Sequence, residues 1–176
     1  SSENWKRPSE EINDIMNLLR YFIKTELKTL NNAGIKLSIL GDISVLSKDI
    51  IENIEEALTI TSNNKKLNLY VAINYGSRQE ITKAIKNIAW SIKDKKLQIS
   101  DISEETISQY LNTNGIPDPD LIIRTGGEYR LSNFLLWQSA YSELIFSDIP
   151  WPDFSKEDLE DAINEYKRRI RRFGGV

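Results

Sequence analysis

Leu121-Ile122-Ile123 is an apolar run that stops abruptly at Arg124 and is followed almost at once by Gly126-Gly127. No other stretch narrows the choice of fold as far. It reads as a buried strand that empties into a cationic, glycine-rich loop, and Ser132-Asn133 then opens a new apolar run. Among α/β proteins such a loop holds phosphate. Glycines let backbone N–H groups approach an anion, and arginines supply paired donors to its oxygens. The plainer alternative is a solvent loop with two surface arginines. Arg124 argues against it, because an unpaired charge continuing a buried strand is costly. Arg124, Gly126, Gly127, Arg130 and Ser132 therefore form the leading anion-site candidate, and Glu128 between the arginines could pair with one of them.

The patterning elsewhere alternates between helical and strand periods. Ile12, Ile15, Met16, Leu19, Ile23, Leu27 and Leu30 keep a helical period over Ser9 to about Asn32, with Pro8 at the entrance and Gly34 at the stop. Ile35 to Leu40 alternates as a strand does and ends at Gly41-Asp42. Ser47 is placed to cap a second helix reaching about Asn63. Leu67 to Asn74 is the strongest strand, ending in Tyr75-Gly76-Ser77-Arg78, and a third helix follows to about Lys95 with Ile81, Ala84, Ile85, Ile88, Ala89 and Ile92 inside. Ser103 caps a shorter helix ending near Asn112, and the prolines at 117 and 119 impose a loop. After the strand at Leu121–Arg124, Phe134 to Gln138 is predicted helical and Glu143 to Phe146 a strand. A last helix starts at Ser155, with Asp158 set for a capping box and Leu159, Ile163, Tyr166, Ile170 and Phe173 on its apolar side.

Strands alternating with helices imply a mostly parallel central sheet flanked by helices on both faces. In that α/β architecture ligands bind beyond the carboxyl ends of the strands. Three polar stretches are expected at that edge: Gly41-Asp42, Asn74 to Arg78, and Arg124 to Asn133.

Composition removes several functions. The chain has no cysteine and no histidine, so disulfides, thiolate metal sites, zinc chemistry and histidine-dependent triads are excluded within it. A metal would have to sit on carboxylates, which favours Mg²⁺. A net charge of −3 argues against a dominant nucleic-acid role. No apolar run approaches the length needed to span a bilayer and no signal peptide is visible, so the expected home is the cytoplasm.

Other candidates have two readings each. Glu143 opens an apolar strand and is either a Mg²⁺ ligand or, on a single carboxylate, a partly exposed strand-end glutamate. Ser1-Ser2-Glu3-Asn4-Trp5-Lys6-Arg7-Pro8 is dense in functional side chains, and is either part of a site or an arm anchored by Trp5. The basic stretch Lys167 to Arg172 is by default a solvated helix end. Trp137, Tyr141 and Trp151 suit a core or an interface better than a ligand cage.

Together these stretches resemble the cis-prenyltransferases, most closely the bacterial undecaprenyl diphosphate synthases. The resemblance rests on Ser1 to Pro8, Ile73 to Arg78, Pro119 to Glu128, Arg130-Leu131-Ser132-Asn133 through Gln138, Tyr141 to Leu144, Trp151 to Phe154 and Arg171 to Gly175, in family order along nearly the whole chain. It implies a reaction in which an allylic diphosphate, typically farnesyl diphosphate, loses diphosphate and joins isopentenyl diphosphate with cis geometry. Repeated condensations build a lipid carrier diphosphate for cell-wall synthesis.

Carried over by position, the resemblance implies that Arg124, Arg130, Leu131 and Ser132 bind isopentenyl diphosphate and that Glu143 is a Mg²⁺ ligand. Ser1, Ser2, Glu3, Trp5 and Arg7 would line the substrate site. Asn4 sits where the family is assigned its proton acceptor, although a carboxamide better suits orienting substrate or diphosphate. The family is dimeric, which implies a homodimer whose Arg172 and Gly174 reach the partner's active site. It also implies delivery of product to the membrane, with peripheral contact at its inner face.

Family members carry an N-terminal Met-Asp-Gly-Asn-Gly-Arg-Trp segment with an aspartate for Mg²⁺ and the allylic diphosphate. That segment is not within these residues, so residues 1–176 are expected to be one N-terminally incomplete domain with impaired activity alone. A non-catalytic partner subunit is the alternative reading.

Overall fold

The computed structural model describes residues 1–170, which fall into two compact units, Ser1–Thr113 and a second beginning at Asn114. The elements in chain order are α1 (Ser9–Asn32), β1 (Ile35–Gly41), α2 (Lys48–Thr61), β2 (Leu67–Ile73), α3 (Ser77–Lys93), α4 (Glu104–Gln109), β3 (Leu121–Arg124), β4 (Glu143–Phe146) and α5 (Lys156–Arg168). The fold is α/β with parallel strands flanked by helices. Among the described residues no helix is long and apolar enough to cross a membrane.

In the first unit, β1 and β2 pair in parallel from Ile35↔Leu67 to Gly41↔Ile73. Because side chains alternate along a strand, Leu37 and Ile39 share a face with their partners Leu69 and Val71. Helices α1 and α2 pack on each other and on β1. Ile50 and Ile54 of α2 are completely or almost completely buried, and with Leu46 they gather Met16, Leu19, Ile23, Ile39 and Ile73 around them. Each such isoleucine contributes about 1.5–3 kcal/mol by leaving water.

Polar groups close the seams. Thr61 is fully buried, and its hydroxyl donates to Ala57 O (2.8 Å) while accepting from the Leu37 N–H of β1 (3.1 Å). Asn64 Nδ2 donates to Asn31 Oδ1 (3.0 Å) and Ile35 O (2.8 Å), tying the end of α1 to the start of β1.

Three sequence expectations need correction here. Ser47 stands at the N-cap of α2 but caps nothing with its side chain; its hydroxyl instead accepts from Arg20 Nη2 (3.0 Å), an ionic donor that outcompetes a neutral N–H. On α3 the inward face runs Ser77, Glu80, Ala84, Ile88, and Ile85 and Ala89 face out. Asp94 ends α3 earlier than expected, and α4 stops at Gln109.

In the second unit, β3 and β4 pair in parallel from Leu121↔Glu143 to Arg124↔Phe146. Residues 134–138 are a series of turns rather than the expected helix. Ser132, Asn133 and Leu135 have φ of 46°, 63° and 45°, and three left-handed residues in four positions cannot propagate a right-handed helix.

Ser155 and Asp158 form the expected capping box of α5, Ser155 Oγ accepting from the Asp158 N–H (3.2 Å) and Asp158 Oδ2 from the Ser155 N–H (2.8 Å). The buried position on α5 is Ala162 and Tyr166 is half-buried on the same face, while Leu159, Ile163 and, beyond the helix end, Ile170 are exposed, so only part of the apolar stripe read from the sequence is packed; Phe173 lies outside the described residues. Trp151 and Tyr141 are 74% and 70% exposed and belong to no core among the described residues.

Candidate active site

Two of the three polar stretches expected at a strand edge meet in the first unit. Asn74, with φ of 48°, turns the chain off β2 in the left-handed region that asparagine tolerates better than most residues. Its Nδ2 donates to Asp42 O at the end of β1 (2.8 Å), and its Oδ1 accepts from the Trp5 indole N–H (2.7 Å). Asp42 Oδ1 accepts from the Ser44 N–H (3.0 Å) and hydroxyl (2.6 Å). Those bonds, with a smaller pull from Lys83, hold the Asp42 carboxyl below the usual carboxylate range. Gly41 has φ of 106°, and a Cβ there would fall 2.2 Å from Ile73 O, so only glycine allows the two strand ends to approach this closely.

The opening segment lies against this edge. Ser2 N–H donates to Tyr75 O (2.9 Å), and Asn4–Lys6 forms a 3-10 turn. Glu3 N–H donates to Ser1 Oγ (3.1 Å), and Arg7 pairs with Glu11 at 3.3 Å on the first turns of α1. A cavity of about 340 Å³ with a mixed polar and apolar lining is bounded by Ser2, Trp5, Asp42, Tyr75, Glu80 and Lys83, among others. An apolar cavity of about 140 Å³ starts beneath Ser1, Asn4 and Trp5 and runs past Ile12 and Met16 to Leu19 and Ile73. Leu19 and Ile73 also line a second apolar cavity, of about 150 Å³, bounded by α1, α2, β1 and β2. Trp5 thus lines both the mixed cavity and the apolar one.

Sequence reasoning placed Asn74 in a polar stretch at the strand edge without assigning it a partner, and did not single out Glu80. Glu80 is buried, with Oε1 accepting from the Tyr75 hydroxyl and Oε2 from the Asn112 N–H (2.9 Å) and Nδ2 (3.1 Å). Its signal in the sequence was a glutamate one turn into a helix that follows a Tyr-Gly strand end, which is also an ordinary place for an exposed acid.

In the second unit, Arg124 and Arg130 come together, but through the backbone. Arg124 Nη1 donates to Arg130 O (2.7 Å), and Arg130 pairs with Glu128, as one of the two readings of that glutamate anticipated. Ser132 follows in a left-handed conformation, with Leu131 half-buried before it.

The glycines do not act as expected. Gly126 N–H donates to Ile149 O (2.9 Å) and Gly127 N–H to Ser147 O (3.0 Å). With φ of 86° and 71°, the pair curls the loop back on the segment after β4, so these amides are committed to the chain and the guanidinium groups are the remaining candidate anion donors. Tyr129 donates to Asp148 Oδ1 (2.8 Å), and that bond to a carboxylate pushes its phenol up.

Glu143 opens β4 half-buried, and its Oε2 accepts from Arg169 Nη1 (2.9 Å). Arg169 leaves α5 in extended conformation (φ −80°, ψ 138°), and also donates to Leu144 O (3.0 Å) and Glu165. The bonds to Glu143 and then Glu165 push its guanidinium further up. Within the basic stretch, Arg169 is therefore not a solvated helix-end cation. A hard carboxylate at Glu143 suits a Mg²⁺ ion, which characteristically takes one or two carboxylates and completes its shell with water and substrate phosphate. Among the described residues no group of three acids gathers as an all-protein cage. Arg172 and Gly174 lie outside the described residues.

Comparison with known proteins is consistent from end to end. A family model described as "Putative undecaprenyl diphosphate synthase" matches residues 1–174. The chain is 52% identical over all 176 residues to isoprenyl transferase 2 of Bradyrhizobium diazoefficiens, spanning 70% of that protein. It is 46% identical to a ditrans,polycis-undecaprenyl-diphosphate synthase, (2E,6E)-farnesyl-diphosphate specific, of Photorhabdus laumondii, over 100% of this chain and 69% of the relative. Among solved structures it is similar to lavandulyl diphosphate synthase from Lavandula x intermedia in complex with dimethylallyl diphosphate, with a TM-score of 0.94, 35% identity, and coverage of 98% of this chain and 75% of that one. With this match in sequence and in fold, the chain belongs to the undecaprenyl diphosphate synthase family of cis-prenyltransferases.

Proposed function

We propose that this chain serves cis-prenyl chain elongation, joining isopentenyl diphosphate to an allylic diphosphate such as farnesyl diphosphate to build a polyprenyl diphosphate for the cell-wall lipid carrier. The observation that carries the reading is the apolar space beginning beneath Ser1, Asn4 and Trp5 and continuing at Leu19 and Ile73 between α1, α2 and the strands. A growing hydrocarbon chain needs an apolar enclosure that opens beside polar residues, and this arrangement supplies both.

In the reaction the allylic carbon–oxygen bond breaks and diphosphate departs. The allylic carbon joins the isopentenyl unit, and a proton is lost as the cis double bond forms. Arg124 and Arg130 hold the isopentenyl diphosphate by charge-assisted bonds, with Leu131 and Ser132 shaping the loop behind them. Ser1, Ser2, Glu3, Trp5 and Arg7 line the allylic side, and Asn4 orients the substrate through its carboxamide. Glu143 would hold Mg²⁺, which when bound stabilises the charge of the departing diphosphate. The enzyme works as a homodimer in the cytoplasm and releases product at the membrane face.

The test is a steady-state assay of the full gene product with Mg²⁺ and farnesyl and isopentenyl diphosphates, with products separated by chain length. Stepwise cis-polyprenyl diphosphates are expected. A folded protein that consumes neither substrate would overturn the reading in favour of a non-catalytic partner subunit.

A further inference from the structure

The Ser1–Arg7 stretch contains one 3-10 turn and no strand, so its own bonds do not determine where it lies. Asn4 N–H to Ser1 O (3.1 Å), Lys6 N–H to Glu3 O (3.2 Å) and Arg7 N–H to Asn4 O (3.0 Å) are all internal. Among the described residues, its hydrogen bonds to β2 and the turn after it end on neighbouring residues. Ser2 N–H donates to Tyr75 O (2.9 Å), and the Trp5 indole donates to Asn74 Oδ1 (2.7 Å). The second is the only one of the two made by side chains, and it fixes the largest side chain of the stretch.

Asn74 is unusually well prepared to be that partner. Its Nδ2 donates to Asp42 O (2.8 Å), so each end of the carboxamide has a partner of the required polarity, and a flipped amide would lose both bonds. Asp42 is fixed in turn by its two bonds from Ser44. A continuous relay, Ser44–Asp42–Asn74–Trp5, therefore runs from the ends of β1 and β2 to the indole. Its last member lines both the cavity of mixed lining and the apolar cavity that Asn4 also borders. Swinging Trp5 would move Asn4 with it and change the mouth of the apolar space.

We infer that Asn74 is a positioning residue for the elongation reaction: through the Trp5 indole its carboxamide sets the location of the Ser1–Arg7 stretch and hence the alignment of the allylic substrate. This rests on the function proposed above. Asn74 is not a catalytic residue, because it acts through Trp5.

The test separates backbone from side chain. Asn74→Gly suits the φ of 48° without strain but removes the carboxamide, so the fold should persist while the indole is released. In the full gene product the Trp5 indole N–H signal, assigned by its loss in Trp5→Phe, is followed by hydrogen exchange in NMR. Expected are at least tenfold faster indole exchange in Asn74→Gly, a fall of about tenfold in kcat/KM for the allylic diphosphate, and an unchanged KM for isopentenyl diphosphate. Asn74→Asp retains the acceptor and should keep the slower indole exchange. Asn74→Gly added to Trp5→Phe should cost nothing further, because the two residues act as one unit.

Wild-type exchange and wild-type kcat/KM in Asn74→Gly would overturn the inference, as would fully additive losses in the double variant. Should Asn74→Gly fail to fold, Trp5→Phe leaves the backbone alone and must show the same selective loss. If wild-type protein forms no polyprenyl product, the proposed function fails, while indole exchange still decides whether Asn74 holds Trp5.

Discussion

Arg169 Nη1 lies 2.9 Å from Glu143 Oε2 and binds the residue that opens β4 to the chain leaving α5. Both side chains are about two-thirds or more shielded, at 32% and 26% exposure. The carboxylate proposed to take Mg²⁺ thus already carries a cationic partner. Glu143→Gln should lower kcat/KM by about two orders of magnitude and raise the Mg²⁺ concentration needed for half-maximal activity. Arg169→Ala should lower that Mg²⁺ requirement by removing a competitor. Magnesium titrations of steady-state rate check both, and an unchanged requirement in Glu143→Gln would count against Glu143 as a ligand.

Arg124 holds the Arg130 carbonyl with one arm of its guanidinium (2.7 Å), leaving the rest of the fork for an anion. Arg124→Lys keeps the charge but cannot perform both tasks from a single ammonium. The expected result is a rise of roughly 10- to 100-fold in KM for isopentenyl diphosphate, as for loss of a charge-assisted bond of about 1.5–3 kcal/mol. Arg124→Ala should be worse, and the comparison is made by initial-rate kinetics at fixed allylic diphosphate.

Ile54 is 1% exposed in the cluster joining α1, α2 and β1. Ile54→Ala should destabilise the protein by about 2–5 kcal/mol, measured as a lower urea midpoint. Because Ile54 also lines the apolar cavity, Ile54→Val, which costs only about 0.5–1.5 kcal/mol, is the better variant for following product length.

Asp49 receives Arg20 Nε at 2.6 Å, and this bond, with one from Ser47, holds its carboxyl well below the usual range. A depressed folded-state pKa means that the unfolded chain binds the proton more readily. The stabilisation is therefore fully present above the ordinary aspartate value, near about 4, and is lost as pH falls below it toward the folded value. Thermal midpoints of wild type and Asp49→Asn should differ at pH 6, and the gap should narrow progressively as pH falls from about 4 to about 2. A constant gap across that range would refute the assignment.

The sequence made the elements legible wherever periodicity or turn chemistry acts locally. Gly34 ends α1, Ser103 caps α4 through the Thr106 N–H (3.1 Å), and Ser155 and Asp158 box the start of α5. It misled where a distant partner decides. Ser47 turned from its helix to Arg20, and the Gly126 and Gly127 amides turned to Ile149 and Ser147 rather than toward a ligand. Periodicity also predicted a helix after Asn133, where the left-handed residues Ser132, Asn133 and Leu135 make turns instead. Arg124, proposed to bind an anion, was visible because charge directly continuing an apolar strand is rare. Asn74 was not, because its two partners, Asp42 and Trp5, come from 32 and 69 positions away.

The glycine turn at 126–127 keeps its shape with bonds from the chain itself. The elongation proposed for this chain would ask the loop to receive a fresh diphosphate at every addition and release it afterwards. A surface that is already assembled has nothing to refold between rounds, so the same contacts can be made and broken through successive cycles without the loop itself setting their pace.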